Sequence, residues 1–270
     1  KKTLVVVNSV DKTIDIYAQL KLTARENGKK AICYHSKLIN DDRPKKEQEI
    51  FVLDKANNGG VLIATQVVEV SLDIDFDILY TENAPIDAII QRAGRVNRKR
   101  KKKNTKVIIA KHSEVSEIIY EEASILNNTY QEFQQREGES LAEGELTTMV
   151  NTVYASMNIK DHPGYKEGLK KYLEIQRHYD WIKDLTSDER VFTRENLNRV
   201  TVIPSEFMEK LMYEDSRDKI TKHELSISRN KFYTVQSSDG PYGSKFIYAP
   251  YSYEKGLEFE DSIINSSEIV

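Results

Sequence analysis

The sequence lacks the usual marks of secreted, disulfide-bonded and membrane-spanning proteins. Cys33 is the one cysteine in 270 residues, so an intramolecular disulfide is excluded and a reducing compartment is favoured. No apolar run is long enough to cross a bilayer, and the first residues do not resemble a signal peptide. We therefore expect a cytoplasmic protein that has no membrane partner.

Two patterns that hydrolysis of a nucleoside triphosphate requires are also absent. No Gly-x-x-x-x-Gly-Lys-Ser/Thr phosphate loop occurs, because Gly28-Lys29-Lys30 lacks both the first glycine and the hydroxyl. An Asp-Glu-x-His/Asp pattern that would hold magnesium is missing as well. The chain opens abruptly, since an apolar run follows Thr3 directly. We expect a piece of a longer protein that cannot hydrolyse ATP alone.

Composition is that of a folded globular protein. Hydrophobic residues make up 39% of the chain and charged residues 31%, which argues against disorder. The net charge of −3 gives no overall sign of a polyanionic partner. Residues 98–103 nevertheless form an unbroken basic run. Such a run is more often a solvated loop, but it also attracts a phosphate backbone.

Short apolar runs alternate with helix-period segments over residues 1–112. The runs expected to form strands are residues 4–7, 31–34, 61–64, 76–81 and 107–110. One helix is expected after the first strand, and Pro44 can open another that ends near residue 56. This alternation predicts an α/β fold, a parallel sheet with helices on both faces. In such sheets, ligands bind beyond the carboxyl ends of the strands.

The pattern changes after residue 112 and predicts a second domain over residues 113–270, mostly helical and of the α+β class. Helical periodicity extends over residues 115–179. Short strands are expected at residues 200–203, 232–236 and 246–248. The aromatic side chains of this part can form a small β core, which ordinary burial favours, or stack on the bases of a single strand. They are Tyr242, Tyr248, Tyr251, Tyr253 and Phe259.

A cluster of long polar side chains is the most specific feature. Gln91, Arg95 and Arg98 are spaced i, i+4, i+7, so a helix capped by Asn83 would place them on one face. The opposite, apolar face would hold Ile86, Ile89, Ile90 and Ala93. Arginine can bind phosphate oxygens bidentately and stabilise charge that develops on a γ-phosphate. The alternative is an exposed helix whose arginines pair with acidic residues, and the spacing alone leaves both open.

Residues 65–75 form a second polar segment, directly after the third expected strand. Its polar residues interrupt a run apolar enough to be buried, so they need partners, and a ligand above the sheet edge would supply them. Those residues are Thr65, Gln66, Glu69, Ser71, Asp73 and Asp75. Asp73 and Asp75 can equally be turn-forming residues that accept backbone hydrogen bonds.

These segments resemble the motifs of superfamily 2 helicases. Residues 61–98 look like motifs V and VI, Val7-Asn8 resembles motif IV, and His35-Ser36 resembles motif IVa. The amino-acid sequences of residues 65–75, 83–87 and 96–98 are similar to those of the CRISPR-associated helicase-nuclease of type I interference systems. The resemblance implies a second RecA-like helicase domain at residues 1–112 and a C-terminal accessory domain at 113–270. It implies the C-terminal half of an ATP-dependent single-stranded DNA translocase.

The resemblance also implies roles for individual residues. Arg95 and Arg98 would be arginine fingers on ATP with Mg²⁺, which the absent first motor domain would mainly bind. Gln91 would help to hold the nucleotide, and Asp73 would bind the ribose or arrange the arginines. The side chains implied to contact the backbone of the translocated strand are Thr65, Gln66, Asn8, His35 and Ser36. Ser71 stands where many superfamily members have glycine, which puts a close backbone approach there in doubt.

The partners implied are single-stranded DNA, a type I CRISPR surveillance complex, and the N-terminal nuclease and motor domains of the same protein. The family's nuclease relies on a His-Asp metal centre, and no His-Asp dipeptide occurs here, so we expect no nuclease in this chain. His35 is the one histidine expected to be functional. Two alternatives stay open: a nucleic-acid-binding module without turnover, and part of an RNA helicase of the same superfamily.

Overall fold

The computed structural model describes residues 1–69, 72–103, 105–155, 157, 160, 163–179 and 199–259. Ser71 lies outside these residues. The strands are β1 (Lys2–Val6), β2 (Lys30–Tyr34), β3 (Gly60–Ala64), β4 (Ile78–Glu82), β5 (Lys106–Ala110), β6 (Arg199–Pro204), β7 (Leu225–Ser228), β8 (Ser237–Asp239), β9 (Lys245–Ile247), β10 (Tyr251–Ser252) and β11 (Gly256–Leu257). The helices are α1 (Val10–Glu26), α2 (Asp42–Lys55), α3 (Ile86–Ala93), α4 (Glu114–Tyr120), α5 (Ala123–Gln134), α6 (Glu143–Tyr154), α7 (Pro163–Tyr179), α8 (Met208–Leu211), α9 (Arg217–Lys222) and α10 (Arg229–Phe232).

The first five strands form one parallel sheet in the order β2-β3-β1-β4-β5. Successive residues of a strand point to opposite faces, and here both faces of the sheet carry buried residues, although the edge strand β5 is largely exposed. Ile32 and Leu62 pack on the side of α2, whereas Cys33 and Ile63 pack against α1 on the other side. The predicted α/β fold with helices on both faces is therefore confirmed, and each of the five predicted strands is present.

The chain after β5 begins with helices and ends with strands, as the α+β prediction states. Helices α4 to α7 cover most of residues 114–179, and strands β6 to β9 form a sheet in the order β7-β6-β9-β8. The strand predicted at residues 232–236 is wrong. Helix α10 ends there instead: the Ser228 hydroxyl accepts a hydrogen bond from the Lys231 N–H and caps the start of that helix, and the Tyr233 N–H closes its end on the Arg229 carbonyl. Strand β7, which has alternating buried positions over only four residues, was not predicted.

The two predicted domains are joined by packing across residue 112. Ile86 of α3 packs with Ile125, Met149 and Val153 of α5 and α6. Ile39, which precedes α2, belongs to the core formed by β6, β7, β9 and β11. The division at residue 112 stays a prediction.

The aromatic residues near the C-terminus divide into two groups. The hydroxyl of Tyr251 donates to Asp42 Oδ2 at 2.7 Å, and that of Tyr253 donates to Glu49 Oε1 at 2.6 Å. Both tyrosines thus dock this part of the chain onto α2. Tyr242 and Tyr248 are 59% and 46% exposed, so they are not core residues. The β core expected from these aromatics is therefore only partly built from them.

Candidate functional site

Arg95 and Arg98 do not lie on the helix that contains Gln91, and the predicted single face is wrong. Helix α3 ends at Ala93, and the following residues turn towards the segment before β4. The Phe76 N–H donates to the Arg95 carbonyl at 2.9 Å, and the Asn97 N–H donates to the Phe76 carbonyl at 3.1 Å. This pairing competes with further helical turns, so both arginines lie in the turn that follows the helix.

The start of α3 also differs from the prediction. Pro85 occupies the capping position, and its extended backbone precedes the first helical turn. Asn83 is fully buried, and its side-chain amide donates to the Leu126 carbonyl at 2.8 Å. Asn83 therefore joins the end of β4 to α5 and does not cap the helix.

Arg95 is held by the backbone of the loop that follows β3. Its Nη1 donates to the Leu72 carbonyl at 2.8 Å, and its Nη2 donates to the Glu69 carbonyl. Its Nε is buried and has no hydrogen-bond partner among the described residues. Burial lowers the pKa of the Arg95 guanidinium, and the charge of Arg98 lowers it further. An additional acceptor near Nε would satisfy the side chain, since a buried donor without a partner is costly.

Arg98 is fixed at its backbone and loosely held at its side chain. Its N–H donates to Asp75 Oδ1 at 3.0 Å, whereas its guanidinium pairs with Asp73 at 3.1 Å. The side chains of Arg98 and Asp73 are 45% and 82% exposed. An ion pair so exposed contributes little to stability, so Arg98 can exchange this partner for a ligand at small cost. Gln91 is exposed on the last turn of α3.

The basic run after Arg98 is partly anchored. Nζ of Lys102 lies 3.1 Å from Asp75 Oδ1 and 3.0 Å from Asp77 Oδ1. The side-chain amide of Asn97 also forms two hydrogen bonds with the backbone of Lys102. Its Oδ1 accepts from the Lys102 N–H, and its Nδ2 donates to the Lys102 carbonyl. The residues between them form a closed, exposed loop.

The predicted strand-contacting residues do meet at one edge of the sheet. Asn8, His35 and Thr65 follow β1, β2 and β3, which are neighbours in the sheet. The Thr65 N–H donates to the Tyr34 carbonyl at 3.3 Å, and Gln66 Nε2 donates to the Asn8 carbonyl at 3.0 Å. Gln66 is half-buried, so part of its side chain faces solvent at this edge.

Asn8 points into the protein, contrary to the expectation of a strand contact. Its amide nitrogen donates to the Asn83 carbonyl at 2.8 Å and to Ser116 Oγ at 2.9 Å. Its amide oxygen accepts from Arg92 at 2.9 Å. With its side chain 4% exposed and bonded at both ends, Asn8 has no atom free for a strand.

His35 is also buried and does not present its ring at the surface. Its Nε2 lies 2.8 Å from the Lys255 carbonyl, and its Nδ1 accepts from the Lys37 N–H at 3.1 Å. Burial lowers the pKa of His35 to about 4, so the ring is neutral at physiological pH. The imidazole therefore supports the β10–β11 hairpin, and Ser36, which is half-buried, is the more accessible residue of the pair.

Arg92 is a residue of this site that the sequence interpretation missed. Its side chain is completely buried, and its Nε donates to Glu69 Oε1 at 2.8 Å. Nη1 donates to Thr81 Oγ1 and to the Glu82 carbonyl, both at 2.9 Å. Nη2 donates to Asn8 Oδ1 at 2.9 Å and to the hydroxyl of Tyr120 at 3.0 Å. Arg92 lies three residues after Ile89, so its position on the buried face was the available signal.

Glu82 has a buried carboxylate that contacts the backbone of Asn8. Its oxygens accept from the Asn8 N–H at 2.9 Å, from Ser113 Oγ at 2.7 Å and from Lys12 Nζ at 3.0 Å. Burial alone raises the pKa of Glu82, but these hydrogen bonds outweigh it and hold the pKa at about 2. The carboxylate thus stays charged and fixes the end of β1 to the start of α4.

The site offers hydrogen-bond donors for anions. In the part of the chain that the structure describes, no three His, Cys, Asp or Glu side chains are grouped to hold a metal ion. The donors of Arg95, Arg98 and Gln91 suit phosphate oxygens. No helix among the described residues has both the length and the apolar character of a membrane crossing.

Comparisons with known proteins agree with this architecture. Residues 1–101 match the family model of the CRISPR-associated nuclease/helicase Cas3, C-terminal. A putative CRISPR-associated nuclease/helicase Cas3 of Methanocaldococcus jannaschii is 28% identical over 221 residues, which cover 77% of this chain and 29% of that protein. The crystal structure of T. fusca Cas3-AMPPNP has a TM-score of 0.70 at 16% identity and covers 95% of this chain. A chain of a CRISPR RNA-guided surveillance complex, pre-nicking, has a TM-score of 0.66 at 16% identity and covers 96% of this chain and 41% of its own length.

The fold is therefore a RecA-like parallel sheet with helices on both faces, followed by a helical and strand-containing C-terminal region. Over residues 1–101 the chain matches the C-terminal family model of the CRISPR-associated nuclease/helicase Cas3, and both the Methanocaldococcus jannaschii relative and the T. fusca structure carry the name Cas3. It spans 29% of the Methanocaldococcus jannaschii relative and 38% of the T. fusca chain.

Proposed function

We propose that this chain is the C-terminal half of an ATP-dependent single-stranded DNA translocase of CRISPR interference. It supplies arginine fingers to a nucleotide that the first motor domain mainly binds, and it is inactive without that domain. The observation that carries the proposal is the arrangement of Arg95 and Arg98 on one anchored turn at the edge of the sheet. The Arg95 guanidinium has a buried donor without a described partner, and among the described residues the Arg98 guanidinium forms an ion pair with the exposed carboxylate of Asp73.

Each arginine suits a different part of phosphate binding. Arg95 is fixed by two carbonyl oxygens, so it can present the remaining N–H donors of its guanidinium with little loss of side-chain entropy. Arg98 can leave Asp73 and follow the charge that develops on a transferred phosphoryl group. Gln91 adds an exposed amide at the end of α3, just before this turn. ATP with Mg²⁺ would supply the scissile phosphate and its counterion, and this chain's residues would only neutralise and orient it.

The strand contacts would come from the residues that reach the surface of the same edge. Gln66 and Ser36 are half-buried, follow adjacent strands and suit contacts to a phosphodiester backbone, which hydroxyl and amide donors commonly make. Thr65 precedes Gln66 but is only 3% exposed, so its place in strand binding would be to position Gln66. Asn8 and His35 would contribute to strand binding indirectly, because their buried side chains fix the loops that carry these donors.

The partners in this proposal are single-stranded DNA, a type I CRISPR surveillance complex, and the N-terminal nuclease and motor domains. Support for the complex comes from the structural likeness to a chain of such an assembly. Support for the missing domains comes from the fraction of its relatives that the chain spans.

The test is DNA-stimulated ATP hydrolysis by the full-length protein. We expect Arg95→Ala and Arg98→Ala each to lower kcat by about a hundredfold or more, as loss of charge stabilisation in the transition state implies. Arg100→Ala is the matched control, because Arg100 is exposed on the same loop, and it should retain the wild-type rate. If both finger variants kept full activity, the assignment would be wrong.

The same preparation tests the two alternatives. Binding of single strands by a full-length protein that lacks ATPase activity would indicate a binding module without turnover. Tighter binding of RNA than of DNA at one stated salt concentration would indicate an RNA helicase.

A further inference from the structure

Tyr120 brings the predicted strand-contacting loop and the arginine helix together at one hydroxyl group. It is the last residue of α4, which lies beyond the predicted boundary at residue 112. Its hydroxyl accepts from Arg92 Nη2 at 3.0 Å and from Gln66 Nε2 at 3.4 Å. It donates to Asn8 Oδ1 at 3.3 Å. One hydroxyl thus uses both its acceptor sites and its proton.

The contacts continue from Tyr120 to the turn that carries Arg95. Arg92 Nε donates to the carboxylate of Glu69, and the carbonyl of the same Glu69 accepts from Arg95. On the other side, Gln66 is half-buried at the carboxyl end of β3. A displacement of Gln66 by a bound strand therefore changes the hydrogen bonds of Arg92, whose other donors are all engaged.

We propose that Tyr120 is a positioning residue that couples strand contact at Gln66 to the placement of Arg95 through Arg92. This inference rests on the proposed function. Loss of the hydroxyl leaves Gln66 Nε2 with the Asn8 carbonyl as its one described partner and removes one acceptor from a buried guanidinium. A bound nucleic-acid strand at Gln66 then no longer affects the position of Arg95, although Gln66 can still contact the strand and Arg95 can still contact the nucleotide.

Tyr120 also suits this role because its hydroxyl stays protonated. Burial raises the pKa of Tyr120, and the interaction with Arg92 only partly opposes this. The donor to Asn8 is therefore present throughout the physiological range, and the three hydrogen bonds are not exchanged for an ionised form.

The experiment compares Tyr120→Phe with wild type in the full-length protein, at saturating ATP, with and without a single-stranded oligonucleotide. The measured quantity is the ratio of the DNA-stimulated rate to the DNA-free rate. We expect this ratio to fall at least about fivefold, because a fivefold change corresponds to one hydrogen bond and Tyr120→Phe removes the three that the hydroxyl makes. Tyr213→Phe is the control, because Tyr213 is 91% exposed, and its ratio should equal that of wild type.

A double variant separates coupling from general damage. Gln66→Ala should lower the ratio as well, and Gln66→Ala with Tyr120→Phe should lower it no further than the larger single effect, because both act on one path. Additive effects, an unchanged ratio, or equal loss of both rates in Tyr120→Phe would overturn the proposal. A wild-type protein without any DNA-stimulated ATPase activity would instead refute the proposed function.

Discussion

Arg92 and Glu69 form a buried ion pair, with Arg92 Nε 2.8 Å from Glu69 Oε1, that joins α3 to the loop after β3. The arginine side chain is completely buried and that of the glutamate is 13% exposed. Breaking such a pair from one side leaves an uncompensated charge in the interior.

Arg92→Met is predicted to destabilise the chain by about 3 kcal/mol, because Glu69, Asn8 and the Glu82 carbonyl lose a donor together. Urea unfolding followed by circular dichroism measures the effect. Arg43→Met is a suitable comparison, since Arg43 donates to the Leu38 and Ser36 carbonyls but forms no ion pair among the described residues. Equal losses for the two variants would show that the ion pair is not the reason.

Gly256 is predicted to tolerate no side chain. Its φ is +70°, and an added Cβ would lie 2.4 Å from the Lys37 carbonyl oxygen and 2.8 Å from His35 Cε1. Gly256→Ala should therefore cost about 3 kcal/mol or more in the free energy of unfolding, from backbone strain and from displacement of the hairpin.

Gly243→Ala is the matched control for Gly256→Ala. Its φ of +77° imposes the same backbone strain, but a Cβ there meets nothing within 4 Å. We expect a loss of only about 1 kcal/mol from Gly243→Ala. If thermal unfolding placed both variants at the same midpoint, the packing of the hairpin on His35 would not be as described.

Glu82 is predicted to make the free energy of unfolding depend on pH in the acidic range. Its folded pKa of about 2 lies below the ordinary value of 4.5, so its contribution is present above about pH 5 and is lost as pH falls towards 2. Glu82→Gln should therefore destabilise the chain at pH 7, on the order of 2 kcal/mol, and the difference from wild type should shrink steadily below pH 5. Urea unfolding at several pH values measures this. A difference independent of pH would mean that the carboxylate charge is not what the hydrogen bonds recognise.

The strands were predictable because each is a short β-branched run whose alternate residues face opposite helices. Leu4 and Val6 face one side of the sheet and Val5 the other, so a continuous apolar run in the sequence is enough to indicate a buried parallel strand. The strand predicted at residues 232–236 was wrong because aromatic and β-branched residues there favour a strand, whereas a serine cap at residue 228 starts a short helix that runs into this segment.

The arginine turn could not be predicted from helical spacing. Spacing assumes that the helix continues through Arg98, but the Phe76 backbone pairs with residues 95–97 and ends it. Phe76 lies far from these residues in sequence, so no local pattern reports its approach. The same holds for Asn8, whose partners Arg92 and Ser116 are supplied by distant segments.

The sequence by itself determined the parallel sheet, the likeness to a helicase family, and the presence of Arg95 and Arg98 near the end of a buried helix. These features could be read from the sequence because hydrophobic periodicity and motif sequences are local properties of the chain. Only the tertiary structure decided which polar side chains face outward. Asn8, His35 and Arg92 are polar in sequence and buried in the fold, since hydrogen bonds from distant residues offset the cost of removing them from water. Gln91 has no such side-chain partner among the described residues and Arg98 pairs with the exposed Asp73, so both reach the surface, where a ligand can meet them.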